Sequence, residues 1–286
     1  MDKKQKIKNL FNTDFPIIGV LHLPPLPGSF YWDGNWDNVL EKTINNALNL
    51  INGGVDSIII ENYGDIPFCK DKVDPVTVSS MTVLGIEVKK LLPCNMTLGI
   101  NVLRNDGFSA IAIATVVGAQ FIRLNILSGV MITDQGIIEG KAHELKMYQR
   151  SLGINIPILA DVLVKHAVPL QYQSIDTVSK DTFYRNGAFG LIVTGKSTGE
   201  EVDIQELKKV NESVPQAPIF IGSGITTENI PKLINYCDGI IVGTSLKDND
   251  QYNLEKIKSL TSLPVISQKK ISSNSTKFLT STIYKT

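Results

Sequence analysis

Short apolar runs rich in β-branched residues recur along the chain and alternate with longer segments of helical spacing. Most of these runs are apolar almost without interruption, as in parallel strands that are covered on both faces. The pattern predicts eight strands, over residues 16–22, 57–61, 97–102, 121–126, 156–162, 190–194, 219–222 and 239–243.

The segments between the strands have apolar positions that repeat with helical periodicity. Val39, Ile44, Ala47 and Ile51 share one face of a helix that ends at the glycine pair 53–54. We predict further helices over 79–92, 107–118, 139–152 and 227–236. Strict alternation of strand and helix indicates a parallel α/β fold. Eight strands favour a single (β/α)8 barrel of the TIM type, and an open doubly wound sheet is the alternative.

The chain has 286 residues, which suits one barrel. No linker divides residues 16–263, so we predict one domain there. Residues 1–15 are polar and lysine-rich, and we expect them to form an N-terminal extension. Residues 264–286 are rich in Ser, Thr and Lys, and we expect a mobile C-terminal tail.

Charge and composition narrow the class of partner. The 28 basic and 28 acidic residues balance, which gives no reason to expect nucleic acid or an anionic membrane. No apolar segment is long enough to span a bilayer, and no signal peptide is visible. Cys69, Cys94 and Cys237 form no CxxC pattern, so we expect a reducing, cytoplasmic location. A homo-oligomer is compatible with the sequence.

Each predicted strand is followed by polar or glycine-rich residues. Chemistry in a barrel of this kind lies at the C-terminal ends of the strands, so we expect a ligand site there. The polar or glycine positions at or after the eight strands include His22, Glu61, Asp65, Asn101, Arg104, Arg123, Asn125, Asp161, Lys165, Thr194, Gly195, Gly222, Ser223, Gly224, Gly243 and Thr244.

Two glycine turns after the seventh and eighth strands predict a phosphate site. Glycine lets a phosphate oxygen reach backbone N–H groups, and barrels commonly hold phosphate at this place. We expect a small phosphorylated ligand, with Arg104 or Arg123 clamping a second anionic or carbonyl oxygen. A buried salt bridge is the alternative for Arg123. The expected binding residues are Gly222, Ser223, Gly224, Gly243, Thr244, Arg104, Arg123, Asn101, Asn125, Thr194 and Gly195.

Three residues are candidates for the chemical step. His22 and Asp161 are candidates for proton transfer, and Lys165 for stabilising developing negative charge. The alternatives are a histidine that donates to a loop carbonyl, an aspartate paired with Lys165 or Arg123, and a lysine that neutralises phosphate.

A divalent metal is the only cofactor that the residues suggest. Glu61 and Asp65, with His22 and Asp161, supply mixed nitrogen and oxygen ligands, although no spacing motif supports the set. Gly195-Lys196-Ser197 lacks the spacing of a nucleotide-binding P-loop.

Assembled in order, these motifs resemble the BtpA/SgcQ family over residues 16 to about 260. The segments that carry the resemblance are GVLHLPPLPGS at 19–29, ENYGDIPF at 61–68, GINVLRN at 99–105, FIRLN at 121–125, DQG at 134–136, ADV at 160–162, KHA at 165–167, TG at 194–195 and 198–199, GSG at 222–224 and VGTSLK at 242–247. The resemblance implies a TIM-type barrel. The family is named in part for a photosystem I biogenesis protein, and one bacterial relative belongs to a carbohydrate-uptake setting.

Three functional hypotheses follow. The first is an enzyme of carbohydrate metabolism, a lyase, isomerase or hydrolase that acts on a sugar phosphate or nucleotide-like compound. The second is a non-catalytic assembly or regulatory factor, as the resemblance allows. The third is a metal-dependent hydrolase that uses His22, Glu61, Asp65 and Asp161.

Overall fold

Eight parallel strands close into a barrel, as the sequence predicts. The structure is a computed structural model that describes residues 2–195 and 200–271. The barrel strands are β1 (Ile17–His22), β2 (Ser57–Glu61), β3 (Thr97–Asn101), β4 (Phe121–Leu124), β7 (Ile158–Val162), β9 (Gly190–Val193), β10 (Ile219–Ile221) and β11 (Gly239–Val242). Around the barrel their order is β1-β11-β10-β9-β7-β4-β3-β2.

Most of the helices lie between the strands along the chain and cover the outside of the barrel. The α-helices of the described residues are α1 (Lys3–Phe11), α2 (Trp36–Asn52), α3 (Pro75–Leu91), α4 (Gly107–Val117), α5 (Ala142–Ser151), α6 (Ile175–Lys180), α7 (Ile204–Ser213), α8 (Ile230–Leu233), α9 (Leu254–Thr261) and α10 (Pro264–Ile271). In the described part of the chain, no helix is both long and apolar enough to cross a membrane.

Alternation along each strand separates an outer core from an inner one. Successive strand residues point to opposite faces. Residues such as Ile17, Leu21 and Ile60 therefore pack under the helices in a large buried cluster. Ile18, Val20, Ile59, Phe121, Leu159, Ile192, Phe220 and Ile241 form a separate buried cluster that fills the barrel.

Helix α1 closes the N-terminal end of the barrel, so the segment predicted as a polar N-terminal extension, residues 1–15, contains a packed helix. Ile7 and Phe11 are buried and belong to the cluster that fills the barrel. The ring of Phe11 makes edge contacts with Phe121 at 5.3 Å and with Phe220 at 5.8 Å. The lysines of α1 occupy the other positions of the helix.

The first part of the predicted tail is also folded. Helix α10 spans Pro264–Ile271, Ile266 is buried, and Lys270 pairs with Asp56 at 2.7 Å. The segment predicted as a tail, residues 264–286, thus begins with a helix. Residues 272–286 lie outside the described part of the chain, as do 196–199, which include most of the GKS triplet.

A small antiparallel sheet lies beyond the barrel strands, and the sequence analysis missed it. Strands β5 (Val130–Thr133), β6 (Gly136–Glu139) and β8 (Ala167–Pro169) pair in the order β6-β5-β8. The sheet is built from the loops that follow β4 and β7. It therefore belongs to the end of the barrel where the candidate site residues lie.

Candidate functional site

One inward-facing layer at the C-terminal end of the barrel contains a candidate site residue from each strand. Seven of these residues follow a residue of the barrel-filling cluster by two positions, and Asn101 follows Gly99 by two, so all eight positions face the same interior. The layer consists of His22, Glu61, Asn101, Arg123, Asp161, Thr194, Gly222 and Gly243. The alternation predicted from the sequence thus brings the polar strand ends together.

Three neighbouring strands align His22, Glu61 and Asn101. The strand register pairs His22 with Glu61 and Glu61 with Asn101. The Nε2 atom of His22 lies 3.6 Å from Oε1 of Glu61, and Nδ2 of Asn101 donates to Oε2 of Glu61. The amide of Asn101 therefore orients the Glu61 carboxylate and does not itself line a described cavity.

His22 is held as a buried imidazole against an aromatic ring. It stacks on Tyr63 with ring centroids 4.3 Å apart and an interplanar angle of 21°. Burial lowers the pKa of His22 well below its ordinary value, and the positive charges of Lys247 and Lys165 lower it further. The imidazole is therefore neutral near pH 7 and can accept or relay a proton. Tyr63 was not among the predicted site residues, although it follows Glu61 by only two positions.

Arg123 and Asp161 form a buried ion pair, so the salt-bridge alternative for Arg123 is the one observed. Nη2 of Arg123 lies 3.1 Å from Oδ1 of Asp161, and Nδ2 of Asn125 donates to Oδ2 at 2.6 Å. Burial pushes the pKa of the Asp161 carboxyl upward, and the Arg123 guanidinium opposes that rise. Asp161 lines none of the described cavities, so its geometry fits a positioning group rather than a proton-transfer group.

Lys165 and Arg104 lie on loops beyond the strands. The backbone N–H of Lys165 donates to Oγ1 of Thr194 at 3.2 Å, and Nη2 of Arg104 donates to the Lys165 carbonyl oxygen at 2.8 Å. Burial lowers the pKa of the Lys165 amine, and Arg123 lowers it further, while Glu61 opposes the change.

The two glycine turns line one cavity, which we name the glycine-turn cavity. It has a volume of about 240 Å³. Lining residues from the turns are Gly222, Ser223, Gly224, Gly243, Thr244 and Ser245, and they face His22, Glu61, Tyr63, Arg123 and Lys165. The structure thus assembles the turns and the titratable residues around a single space.

Each glycine of the turns also has a packing reason. A Cβ at Gly222 would lie 2.4 Å from Cγ2 of Ile192. Gly224 has a φ of +68°, and its Cβ would collide with the carbonyl of Glu200. A Cβ at Gly243 would lie 3.1 Å from Cε1 of His22. Close approach of the backbone to neighbouring atoms therefore explains these glycines independently of any ligand.

Backbone donors of the turns remain available to a ligand. The amides of Ser223, Gly224, Thr244 and Ser245 donate to no protein acceptor within residues 2–195 and 200–271. Oγ of Ser223 accepts a hydrogen bond from the Gly195 amide at 2.9 Å, which ties the two loops together. Gly195 therefore contacts the cavity only through Ser223, which lines it.

A second cavity adjoins the first, and we name it the loop cavity. It has a volume of about 510 Å³ and shares Glu61, Tyr63, Arg123 and Lys165 with the glycine-turn cavity. Its other polar lining residues are Arg104, Asn125, Asp134, Gln135 and His166. The two cavities together form one cleft across the mouth of the barrel.

Three residues that line the loop cavity have buried polar atoms without a hydrogen-bond partner. Among the described residues these atoms include Nε of Arg104, Oδ1 of Asn125 and Oε1 of Gln135. The amide orientations are fixed, because Nδ2 of Asn125 donates to Asp161 and Nε2 of Gln135 donates to Asp134. Buried polar atoms normally have partners, so the cavity offers one donor and two acceptors to a ligand.

The predicted metal-ligand set is not assembled. Asp65 accepts hydrogen bonds from the Leu26 amide at 2.8 Å and from Asn62 at 3.1 Å, so it fixes the loop after β1. Asp161 is engaged by Arg123. Within the described residues, no group of three or more His, Cys, Asp or Glu side chains is placed to hold a metal ion.

Residues 13–262 match the sequence pattern of the BtpA family. The Photosystem I biogenesis protein BtpA of Synechocystis is 48% identical over 243 residues, which cover 85% of this chain and 84% of that protein. Among solved structures, thiamine phosphate pyrophosphorylase from Pyrococcus furiosus superposes with a TM-score of 0.57 at 14% identity, covering 90% of this chain and 98% of the other. Phosphoribosyl anthranilate isomerase from Thermus thermophilus gives a TM-score of 0.52 at 12% identity, with coverage of 85% and 96%. These two likenesses concern the fold.

Proposed function

The chain belongs to the BtpA family, and from that premise we propose that it is an enzyme acting on a small phosphorylated metabolite, with the phosphate at the glycine turns. One observation carries the proposal. The glycine-turn cavity combines backbone donors that have no described acceptor with a lysine, a neutral histidine and a glutamate. Anion recognition and proton transfer are thus available within one space.

Phosphate binding follows from the donors that converge on this cavity. Successive backbone N–H groups in a turn form an anion-binding concavity, and a nearby cation strengthens it. The amides of Ser223, Gly224, Thr244 and Ser245 supply the donors, and Lys165 supplies the cation.

Glu61 and His22 are the groups that we assign to proton transfer. Both line the cavity, and their nearest side-chain atoms are 3.6 Å apart. The second carboxylate oxygen of Glu61, Oε2, accepts a hydrogen bond from Asn101 and lies 4.0 Å from Nη1 of Arg123. Such a pair can remove a proton from carbon or oxygen and return it elsewhere, which is the chemistry of an isomerase or a lyase.

The loop cavity favours a sugar phosphate as the substrate. The unpaired oxygens of Asn125 and Gln135 need donors, and Nε of Arg104 needs an acceptor. Hydroxyl groups satisfy both requirements because each donates and accepts. A phosphorylated polyol or sugar would therefore place its phosphate at the glycine turns and its hydroxyl groups in the loop cavity.

A charge placed at the turn tests the phosphate site. Thr244 is exposed and lines the cavity, so Thr244→Glu keeps the packing and adds a repelling carboxylate. We expect affinity for ribose 5-phosphate, measured by titration calorimetry, to fall by about tenfold or more, since like charges a few ångströms apart near a surface repel by about 1–4 kcal/mol.

Ser151→Glu is the matched control. Ser151 is exposed at the end of α5 and lines no described cavity, so the same charge change there should leave the affinity unchanged. Equal affinity of the wild-type chain and Thr244→Glu would contradict the phosphate assignment.

An assembly factor is the second candidate function. The outer face of the β6-β5-β8 sheet exposes Ile137, Ile132 and Val168 in register across its three strands. A row of apolar side chains exposed side by side is a feature of protein-binding surfaces. The substitutions Ile132→Thr and Val168→Thr would abolish such a role and leave ligand binding in the cleft unchanged.

A cytoplasmic location is part of the proposal. Cys69, Cys94 and Cys237 form no disulfide, which fits a reducing compartment. Fractionation of cells that produce the chain would test this location.

A further inference from the structure

Lys165 occupies the junction of the glycine-turn cavity and the loop cavity. It is one of the four residues that line both. A substrate with its phosphate at the glycine turns and its hydroxyl groups in the loop cavity must pass this residue. The atoms next to Lys165 are therefore the carbons between the phosphate and the hydroxyl-bearing end.

The Lys165 amine has no partner in the described part of the chain. Its backbone is engaged by Thr194 and Arg104, but its Nζ atom forms no hydrogen bond or ion pair there. A lysine placed for structure alone would normally pair with a carboxylate or extend into water. The side chain is instead half-buried between two cavities.

The backbone of Lys165 is fixed from both sides. Thr194 accepts from its N–H at 3.2 Å, and Arg104 donates to its carbonyl oxygen at 2.8 Å. Thr194 itself belongs to the inward-facing layer of the barrel. The point from which the lysine side chain extends is thus set by the barrel, as a reacting group requires.

The surroundings make the Lys165 ammonium group easier to deprotonate than an exposed lysine. Burial lowers the pKa of Lys165, and the guanidinium groups of Arg123 and Arg104 lower it further, while Glu61 and Asp161 oppose the change. Only the neutral amine is a nucleophile, and a buried lysine next to other cations is the usual setting for one.

We propose that Lys165 forms an imine with the carbonyl carbon of a phosphorylated aldehyde or ketone bound in the cleft. The inference rests on the proposed function, because it uses the phosphate at the glycine turns to position the carbonyl. It narrows the substrate to a carbonyl compound and the chemistry to bond changes at the neighbouring carbon.

The step balances with groups that line the cleft. The Lys165 ammonium group first gives one proton to the Glu61 and His22 pair, which leaves a neutral amine. Its nitrogen lone pair adds to the carbonyl carbon while the π electrons move to oxygen, and a second proton passes from nitrogen to that oxygen. The resulting hydroxyl group takes the proton held by the pair and leaves as water, which forms a protonated C=N bond. The protonated imine accepts an electron pair when a C–H or C–C bond at the adjacent carbon breaks.

Reductive trapping tests the imine directly. Purified protein is incubated with ribose 5-phosphate, ribulose 5-phosphate, glyceraldehyde 3-phosphate or dihydroxyacetone phosphate in the presence of sodium cyanoborohydride, and the modified lysines are mapped by peptide mass spectrometry. With at least one compound, we expect modification of Lys165 to exceed that of the exposed Lys180 and Lys258 by about tenfold or more, because the bound phosphate holds the carbonyl group next to this amine.

Two variants and one binding measurement separate the possible results. Lys165→Arg keeps the positive charge and should still bind the compound in a thermal shift, but it should lose the trapped adduct. Lys247→Arg, at a neighbouring lysine outside both cavities, should retain the adduct on Lys165.

Binding of a carbonyl compound without enrichment at Lys165 would overturn the imine and leave the phosphate site standing. Equal trapping of ribose and ribose 5-phosphate at Lys165 would overturn the phosphate requirement. Neither binding nor trapping by any of the four compounds would contradict both proposals.

Discussion

Arg123 and Asp161 make a two-point ion pair inside the barrel, with Nη2 to Oδ1 at 3.1 Å and Nε to Oδ2 at 3.3 Å. Removing one partner leaves the other charge buried, which typically costs 3–5 kcal/mol. We therefore expect Asp161→Leu to lower the free energy of unfolding by about 3–5 kcal/mol in urea titrations. Asp161→Ala is for this reason a poor test of catalysis, because lost activity would accompany lost stability.

The double variant Arg123→Met with Asp161→Leu checks the cause. It removes both charges, so it should be more stable than Asp161→Leu alone. Asp181→Asn breaks an exposed pair with Arg185 and should change stability by no more than about 1 kcal/mol. A double variant no more stable than the single one would argue against an electrostatic origin.

The buried imidazole of His22 predicts a dependence of stability on pH. Its folded-state pKa is lower than the unfolded value near 6.5, so the unfolded chain binds more protons below that pH. Stability contributed by neutral His22 is therefore present above about pH 6.5 and is lost as the pH falls toward the folded-state pKa. Urea unfolding should show a loss between about pH 7.5 and 5.5 that is smaller in His22→Gln.

His166 is the internal comparison for this pH dependence. Its pKa is also lowered by burial, but to a lesser extent, because its side chain is exposed. His166→Gln should retain most of the wild-type slope. A slope that is identical in the wild type and His22→Gln would show that His22 is not buried in its neutral form.

The unpaired oxygen of Gln135 predicts a selective loss of affinity. Gln135→Met keeps the size of the side chain and removes one acceptor from the loop cavity. Affinity for ribose 5-phosphate should fall by about two- to tenfold, which corresponds to the net free energy of one hydrogen bond. Affinity for orthophosphate should stay the same. Titration calorimetry with both compounds measures the difference, and an equal loss for the two would place the sugar elsewhere.

Helix α1 should contribute directly to the stability of the barrel. Phe11→Ala removes a buried ring that contacts Phe121 and Phe220, so we expect a loss of about 3–5 kcal/mol in the free energy of unfolding. Phe30→Ala is the control, because Phe30 is 78% exposed and should change stability by less than about 0.5 kcal/mol. Similar effects of the two variants would contradict the conclusion that packing of α1 against the barrel contributes to stability.

The barrel was predictable because its signals are local. Continuous apolar runs identify buried parallel strands, and the two-residue alternation that places Ile59 in the core also places Glu61 in the inward-facing layer. The same argument fixes His22 relative to Val20. Helix α1 was within reach of the same reasoning, since Ile7, Leu10 and Phe11 have helical spacing in a lysine-rich segment.

Partnerships across the barrel were not predictable in the same way. Asp161 had two candidate partners in the sequence, and only the geometry of β4 and β7 selects Arg123 over Lys165. The hairpin of β5 and β6 has a local turn at Asp134-Gln135-Gly136, but the third strand of the sheet comes from a loop that follows helix α5 and strand β7. Non-local pairing of this kind leaves little trace in a single sequence.

The most direct test of the central claim is a thermal-shift comparison of ribose 5-phosphate, orthophosphate and ribose on the wild-type chain. A ligand at about 100 times its Kd stabilises a protein by about 2.7 kcal/mol, which gives a measurable rise in Tm. We expect a rise in Tm with ribose 5-phosphate, a smaller rise with orthophosphate and none with ribose at equal concentration. A rise with ribose that matches the rise with ribose 5-phosphate, or no rise with any phosphorylated compound, would contradict a phosphate site at the glycine turns.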